Sequence, residues 1–300
     1  MRPEPDHLPQ RLWWVLAALT LAWGFNWTAL KVALSEVPPW TFRSLCLGLG
    51  AAVLFLALRA GGQRLAVPNG QWRRLWLLAL LNITSWNMLI AFGVAQIPSG
   101  RAAILAYTMP VWAVPLSVWL LHERITGGKL VGLGLGLGGL ALLLGESFVS
   151  LGAAPLGSLL VLGAALSWAF GTVLQKRFPV AMPAGAYTAW IMLLGGVPIF
   201  IGALAFEDLR TLGQVSLAPA LGTAYNVFIA FAFAHWAWIK IATAVPVSVF
   251  SISMLIIPVV GVVSGMLFLG ERPTWAEYAA LACVLGALVT VLRPGRGARG

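Results

Sequence analysis

Apolar residues run along this chain in blocks of about 20, separated by short polar joints. A helix rises 1.5 Å per residue, so such a block crosses a hydrocarbon core of roughly 30 Å. Ten blocks qualify, at about 12–35, 39–58, 72–95, 99–121, 128–146, 155–177, 184–206, 217–240, 244–269 and 274–293. The pattern predicts an all-α integral membrane protein of ten transmembrane helices, with short loops and no soluble domain. Any chemistry must lie inside the bundle or at its mouths. No small-residue cleavage site follows the first block, which is expected to be a retained span rather than a signal peptide.

The blocks fall into two copies. Trp23-Gly24-Phe25, with Lys31 eight positions after the Trp, recurs as Trp168-Ala169-Phe170 with Lys176. Pro98, Pro110 and Leu121-His122-Glu123-Arg124 recur as Pro246, Pro258 and Leu269-Gly270-Glu271-Arg272. The first set is offset by 145 residues and the second by 148, so a short insertion separates them. Each copy holds five spans, 12–146 and 155–293. An odd number makes the second copy enter the membrane from the opposite side. Inverted repeats of this kind are a recurrent plan of secondary transporters, with the site at the repeat interface near mid-bilayer.

Composition agrees: 60% of residues are apolar and 9% charged, too few charges to cover a soluble surface. The net charge of +10 raises the question of nucleic acid, but its distribution answers it. With a cytoplasmic N-terminus, fourteen Lys and Arg face the cytoplasm: Arg2, Arg11, Arg59, Arg64, Arg73, Arg74, Arg124, Lys129, Lys176, Arg177, Lys240, Arg293, Arg296 and Arg299. Arg101, Arg210 and Arg272 face the other side, and Lys31 and Arg43 lie within spans near the outer face. This positive-inside bias puts both termini in the cytoplasm and leaves no nucleic-acid surface. Cys46 and Cys283 both fall within spans, without metal-ligand spacing, so neither a disulfide nor a metal site is expected.

Few polar groups lie deep. Trp23, Asn26 and Trp27 share one helix face, and Trp86 neighbours Asn82 and Asn87. An amide in hydrocarbon needs a partner, so Asn26, Asn82, Asn87 and Asn226 are expected to point inward. They serve either helix–helix hydrogen bonds or an aromatic-walled cavity for a small molecule. The cavity expected on the second reading is lined by Trp23, Asn26, Trp27, Trp86, Asn87, Tyr107, Trp168, Asn226 and His235. Trp13, Trp14, Trp40, Trp72, Trp76, Trp119, Trp236, Trp238 and Trp275 fall near span ends, as interfacial belt residues do. Pro110 and Pro258 are either packed kinks or bending points. Gly132 and Gly136 give small-xxx-small spacing for close helix contact, and Gly134-x-Gly136-x-x-Gly139 carries no nucleotide-binding meaning inside a span. Glu123 and Glu271 sit at span ends, where they accept from the next helix N-terminus, pair locally or close a gate. Lys31 and Lys176 either snorkel or contact an anionic group. No Asp or Glu lies deep within a span, so no ion-coupling carboxylate sits at the midplane. His235 is the deep group that titrates near neutrality, and it packs, contacts substrate or carries a proton.

The ten spans, the duplicated Trp-x-Phe, and Pro followed by Leu-x-Glu-Arg resemble the EamA domains of the drug/metabolite transporter superfamily, over residues 12–293. Within it the chain resembles the YddG-type bacterial amino-acid exporters. The resemblance implies an inner-membrane exporter of neutral and aromatic amino acids or similar metabolites, working by alternating access without a cofactor. It implies spans one to four and six to nine around the cavity, with five and ten outside. Partners are then the small-molecule substrate and the bilayer, for a monomer or a homodimer. Export of cationic drugs or other metabolites is the alternative within the superfamily. A membrane-embedded transferase would need the acidic metal or phosphate ligands this chain lacks, and a channel would show no saturation.

Overall fold

The computed structural model describes residues 10–150, 156–242 and 247–292. Pro246, Arg2, Asp6, Arg293, Arg296 and Arg299 lie outside them, as do both outer edges of the ninth and tenth expected spans at 244 and 293. The described residues form ten rods: α1 Gln10–Ala33, α2 Pro39–Ala60, α3 Trp72–Gln96, α4 Ser99–Leu121, α5 Gly127–Ser150, α6 Leu156–Arg177, α7 Ala184–Phe206, α8 Leu217–Ala242, α9 Val247–Leu269 and α10 Trp275–Leu292. Eight of them, α1 to α8, are long and apolar enough to cross a membrane. The last two qualify only as shorter apolar helices, Ile256–Leu269 and Trp275–Thr290.

Proline sets several boundaries. Pro38, Pro98 and Pro183 stand just before α2, α4 and α7, with φ of −59°, −56° and −57° and ψ near 140°. The ring fixes φ and removes a donor that a first turn does not use. Inside α4 the helix breaks: Ser99–Ala106 ends, and Met109–Leu121 restarts with Pro110 in its first turn. Thr108 reinforces the break by donating its hydroxyl to the Leu105 carbonyl at 2.7 Å. Pro258 differs, because α9 runs through it without interruption. Its repeat has Ile256 where α4 has Thr108, so the competing hydroxyl is missing.

Two rods switch to π-helix in mid-course, α3 at Leu80–Ser85 and α8 at Tyr225–Phe233. The stretches begin 145 residues apart, at Leu80 and Tyr225, and end 148 apart, at Ser85 and Phe233. These are the two offsets of the sequence motifs, so the three-residue insertion resides in the longer π stretch of α8. π segments gather at functional sites, and Asn82 and Asn226 both lie in them.

The packing is closed under exchange of the halves. α1 packs on α9 and α8, as α6 packs on α4 and α3; α2 lies along α7, α4 on α9, and α5 along α10. α7 ends where α2 begins, with Glu207 Oε1 and Oε2 accepting from the backbone N–H of Trp40 and Thr41 at 3.0 and 2.7 Å. α9 ends where α4 begins, with Glu271 accepting from Ser99 and Gly100. Interior contacts are close: a Cβ on Gly24 would strike Val260 of α9, and one on Gly93 would strike Val161 of α6. The α5–α10 pair uses Gly139 against Cys283 and Gly128 against the Thr290 carbonyl. A Cβ on Gly136 would strike Val111 of α4, so this glycine serves the α4 contact, as its spacing had suggested for packing in general.

Candidate functional site

The expected site residues divide into two sets, one in each α1/α8 and α3/α6 seam. In the first seam the Trp23 indole N–H donates to the Ala230 carbonyl at 3.2 Å, reaching the π stretch of α8. Its ring meets His235 edge-on at 5.9 Å, and His235 stacks on Phe231 at 5.4 Å. His235 Nδ1 lies 3.3 Å from the Ala230 carbonyl, so the ring is tied to its own helix. Tyr225 donates to the Ala22 carbonyl at 2.9 Å and fixes the same seam. Asn26, one turn after Trp23, has a buried side-chain oxygen with no partner. Asn226 donates its amide N–H to the Gly222 carbonyl at 3.0 Å and likewise leaves its oxygen unpaired.

In the second seam Trp86 and Trp168 face each other at 5.0 Å. Asn82, from the π stretch of α3, donates to the Trp168 carbonyl at 3.3 Å. Gly171 faces Asn82 so closely that a Cβ there would overlap the amide. Asn87 donates to the Ile83 carbonyl at 2.8 Å, and the side-chain oxygens of Asn82 and Asn87 are buried without partners. The two seams correspond under exchange of the repeats, with Trp23 and Trp168 as equivalents. Among the described residues no ring contact or hydrogen bond joins these side chains of one seam to those of the other. Trp27 and Tyr107 are buried; a Cβ on Gly261 would meet Trp27, and Tyr107 sits at the break in α4.

The four deep amides therefore present four buried oxygens with no donor among the described residues. In an interior each such orphan costs about 1–3 kcal/mol. Among the described residues no group of three His, Cys, Asp or Glu could hold a metal ion, and both cysteines are free thiols.

At one end of the bundle carboxylates tie neighbouring helices together. Glu271 Oε1 and Oε2 accept from the N–H groups of Ser99 and Gly100 at 2.6 and 3.0 Å. It reaches α4 rather than the next helix, α10. Gly265 makes this possible, because a Cβ there would strike both Glu271 and Ser99. Arg101 and Glu277 form an ion pair at 2.7 Å with both side chains under 10% exposed. Glu36 accepts from Ser216 N–H and hydroxyl at 2.7 and 2.8 Å, which hold its carboxyl below the usual range. Lys31 belongs to the same end, donating to the carbonyls of Val94, Ala95 and Ile97 that end α3. A cavity of about 280 Å³ at this end is lined by Gln96, Arg101, Ile104, Glu271, Arg272 and Glu277.

The opposite end is held differently. Glu123, the repeat equivalent of Glu271, pairs with Lys129 at 2.8 Å and Lys176 at 2.5 Å. Hydrogen bonds from Lys129 and then Lys176 hold its carboxyl down at about 2. Lys176 thus contacts a carboxylate, while its equivalent Lys31 caps carbonyls.

Of the nine tryptophans expected in the interfacial belt, Trp13, Trp14, Trp72, Trp119 and Trp275 are exposed. Trp40 packs on Phe92 and Phe206, and Trp238 packs on Trp23. Arg43, expected within a span near the outer face, lies in the second turn of α2 and is buried against Phe231 of α8.

Residues 12–145 and 155–293 each match the EamA-like transporter family. The inner membrane transporter YedA of Escherichia coli, uncharacterised, is 30% identical, covering 93% of this chain and 90% of its own. The uncharacterised transporter YoaV of Bacillus subtilis is 27% identical, covering 91% and 92%. A probable amino-acid metabolite efflux pump of Escherichia coli is 26% identical, again covering 91% and 92%. A solved crystal structure with 21% identity superposes with a TM-score of 0.66, covering 94% of this chain and 96% of its own, which is a likeness of fold.

Proposed function

This chain belongs to the EamA-like transporter family, and from that premise we propose that it exports neutral amino acids, aromatic ones included, across the inner membrane by alternating access. The observation that carries the reading is the set of orphan amide oxygens beside the Trp23/His235 and Trp86/Trp168 clusters. An ammonium group donates three hydrogen bonds, and an aromatic wall suits an apolar side chain. The similarity to a probable amino-acid metabolite efflux pump points the same way. On this reading the chain resembles the YddG-type exporters of the superfamily.

Tracer counterflow in proteoliposomes with a panel of amino acids tests this. Saturable exchange of neutral amino acids is expected, with Trp168→Ala and Asn26→Ala raising the half-saturation concentration about 10-fold while the protein stays in the membrane. Wild-type exchange of organic cations but no amino acid would overturn the reading in favour of drug export. Because no carboxylate lies deep, downhill flux is expected to persist without a proton or sodium gradient, in His235→Ala as in wild type. Strict dependence on a proton gradient, lost in that variant, would make His235 the coupling residue.

The proposed topology is ten spans in two inverted repeats, 12–146 and 155–293, with both termini cytoplasmic. Its support is that α7 ends at the start of α2 and α9 at the start of α4, so equivalent rods run oppositely. In a variant lacking Cys46 and Cys283, cysteines at Ser35 and Thr211 are expected to label from outside sealed cells, and one at Gln63 is not. Labelling of Gln63→Cys from outside would reverse the orientation.

A further inference from the structure

We propose that Arg43 holds the carboxylate of the transported substrate. The inference rests on the amino-acid reading above and adds to it a named anion-binding residue.

Arg43 lies in the second turn of α2 and is 2% exposed. Its guanidinium carbon sits 5.1 Å from the Phe42 ring centre and 5.8 Å from that of Phe231, on the π stretch of α8. Among the described residues it has no ion pair and no hydrogen bond, and its buried Nε has no acceptor. Glu207, the carboxylate at the end of α7 that meets the first turn of α2, is occupied by the N–H groups of Trp40 and Thr41.

A guanidinium is planar and carries five in-plane donors. The two rings lie against the cation without offering it a hydrogen-bond acceptor, so its fork of donors is left for another group. That is the arrangement for in-plane, bidentate capture of a carboxylate. An uncompensated buried cation is costly, and inside a membrane span such a charge marks a functional position. The competing role, a packing cation that merely joins α2 to α8, leaves five donors unused.

The position also fits. Phe231 stacks on His235, and His235 meets Trp23, so the guanidinium continues the aromatic cluster of the α1/α8 seam. The orphan amide oxygens of Asn26 and Asn226 belong to the same seam. Together they offer acceptors for an ammonium and donors for a carboxylate, the two ends of a zwitterion. The repeat equivalent of Arg43 in α7 is Thr188, whose hydroxyl donates to the Ala184 carbonyl at 2.9 Å. One cation, present in one repeat, matches one carboxylate per transport cycle.

The test compares counterflow of phenylalanine, phenylalaninamide and phenethylamine in wild type, Arg43→Gln and Arg43→Lys. A charge-assisted hydrogen bond contributes about 1.5–3 kcal/mol, so Arg43→Gln is expected to raise the half-saturation concentration for phenylalanine about 10- to 150-fold. The amide and the amine, which lack the carboxylate, are expected to keep their wild-type values or bind more tightly. Arg43→Lys, which keeps the charge and loses the fork, is expected to lie between the two for phenylalanine alone. It serves where Arg43→Gln fails to fold. Equal weakening for all three compounds in both variants would assign Arg43 to packing and overturn the proposal. A wild type that exchanges none of them would remove the amino-acid reading itself, and this inference with it.

Discussion

Arg101→Leu is expected to lower the stability of the protein by about 3–5 kcal/mol, more than other side-chain truncations at the same end of the bundle. The ion pair with Glu277 has an Nε–Oε1 distance of 2.7 Å, with side-chain exposures of 8% and 7%. Its worth as an attraction is modest, since two charges lost their hydration to form it. The asymmetry lies in breaking it. Leucine leaves the Glu277 carboxylate buried with its charge uncompensated. The other oxygen of Glu277 accepts from Thr274 N–H at 3.0 Å, and Thr274 Oγ1 accepts from Glu277 N–H at 3.3 Å. This reciprocal cap starts α10, so a second substitution must spare it. Glu277→Gln does, because glutamine fills the same capping role without a charge. The double variant Arg101→Leu/Glu277→Gln is therefore expected to recover most of the loss. In detergent the single variant should fall in Tm on the order of 10 °C. Equal Tm values for the single and double variants would show that the lost contact, not the stranded charge, carries the effect.

Much of the bundle was legible in the apolar blocks, because span length is set by bilayer thickness and needs no tertiary information. The duplicated Trp-x-Phe and Leu-x-Glu-Arg motifs made the pairing of equivalent helices readable as well. The change of offset from 145 to 148 announced an insertion but not its place. An extra turn's worth of residues inside an apolar run leaves no mark, since every register of that run is hydrophobic. The structure puts it in the π stretch at Tyr225–Phe233.

The site was harder, because nearly every deep position is apolar and the helical face that turns inward cannot be phased from one chain. Asn26, Asn82, Asn87 and Asn226 stood out because amides are costly in hydrocarbon, and all four have buried, unpaired oxygens. Trp23, Trp86 and Trp168 stood out beside them, and their ring contacts lie in two seams related by exchange of the repeats. Arg43 was read as lying within a span near the outer face, and its burial was not legible because position along a helix says nothing of rotation. Its burial depends on Phe231 of a distant helix. Pro110 and Pro258 were equivalent in sequence and unequal in effect, since Thr108 assists the break in one repeat only.

Glu271→Ala is expected to open the end of the bundle where α4 starts and to cut the transport rate at least 10-fold. The carboxylate accepts two backbone N–H groups, from Ser99 at 2.6 Å and Gly100 at 3.0 Å. Charge-assisted bonds to a helix N-terminus are worth about 1.5–3 kcal/mol each before partial replacement by water. Losing both shifts a two-state gate by roughly 2–4 kcal/mol, on the order of 30- to 1,000-fold in its equilibrium. A carrier biased that far spends its cycle waiting for the rarer state, so the rate falls even where affinity survives. Gly265→Ala reaches the same end by another route, because its Cβ would strike Glu271 and Ser99. It is expected to share the phenotype while leaving the carboxylate in place. Glu123, half-buried at the bundle's other end and paired with Lys129 and Lys176, supplies the contrast. Ion pairs near the surface contribute about 0–1 kcal/mol, and glutamine keeps the acceptor, so Glu123→Gln is expected to change the rate less than about 5-fold. Labelling of a cysteine at Ile104, which is buried one turn beyond Arg101 in α4, reads the gate directly. It should accelerate in Glu271→Ala and Gly265→Ala and not in Glu123→Gln. Unchanged labelling in the first two, with transport lost, would place Glu271 in folding rather than gating.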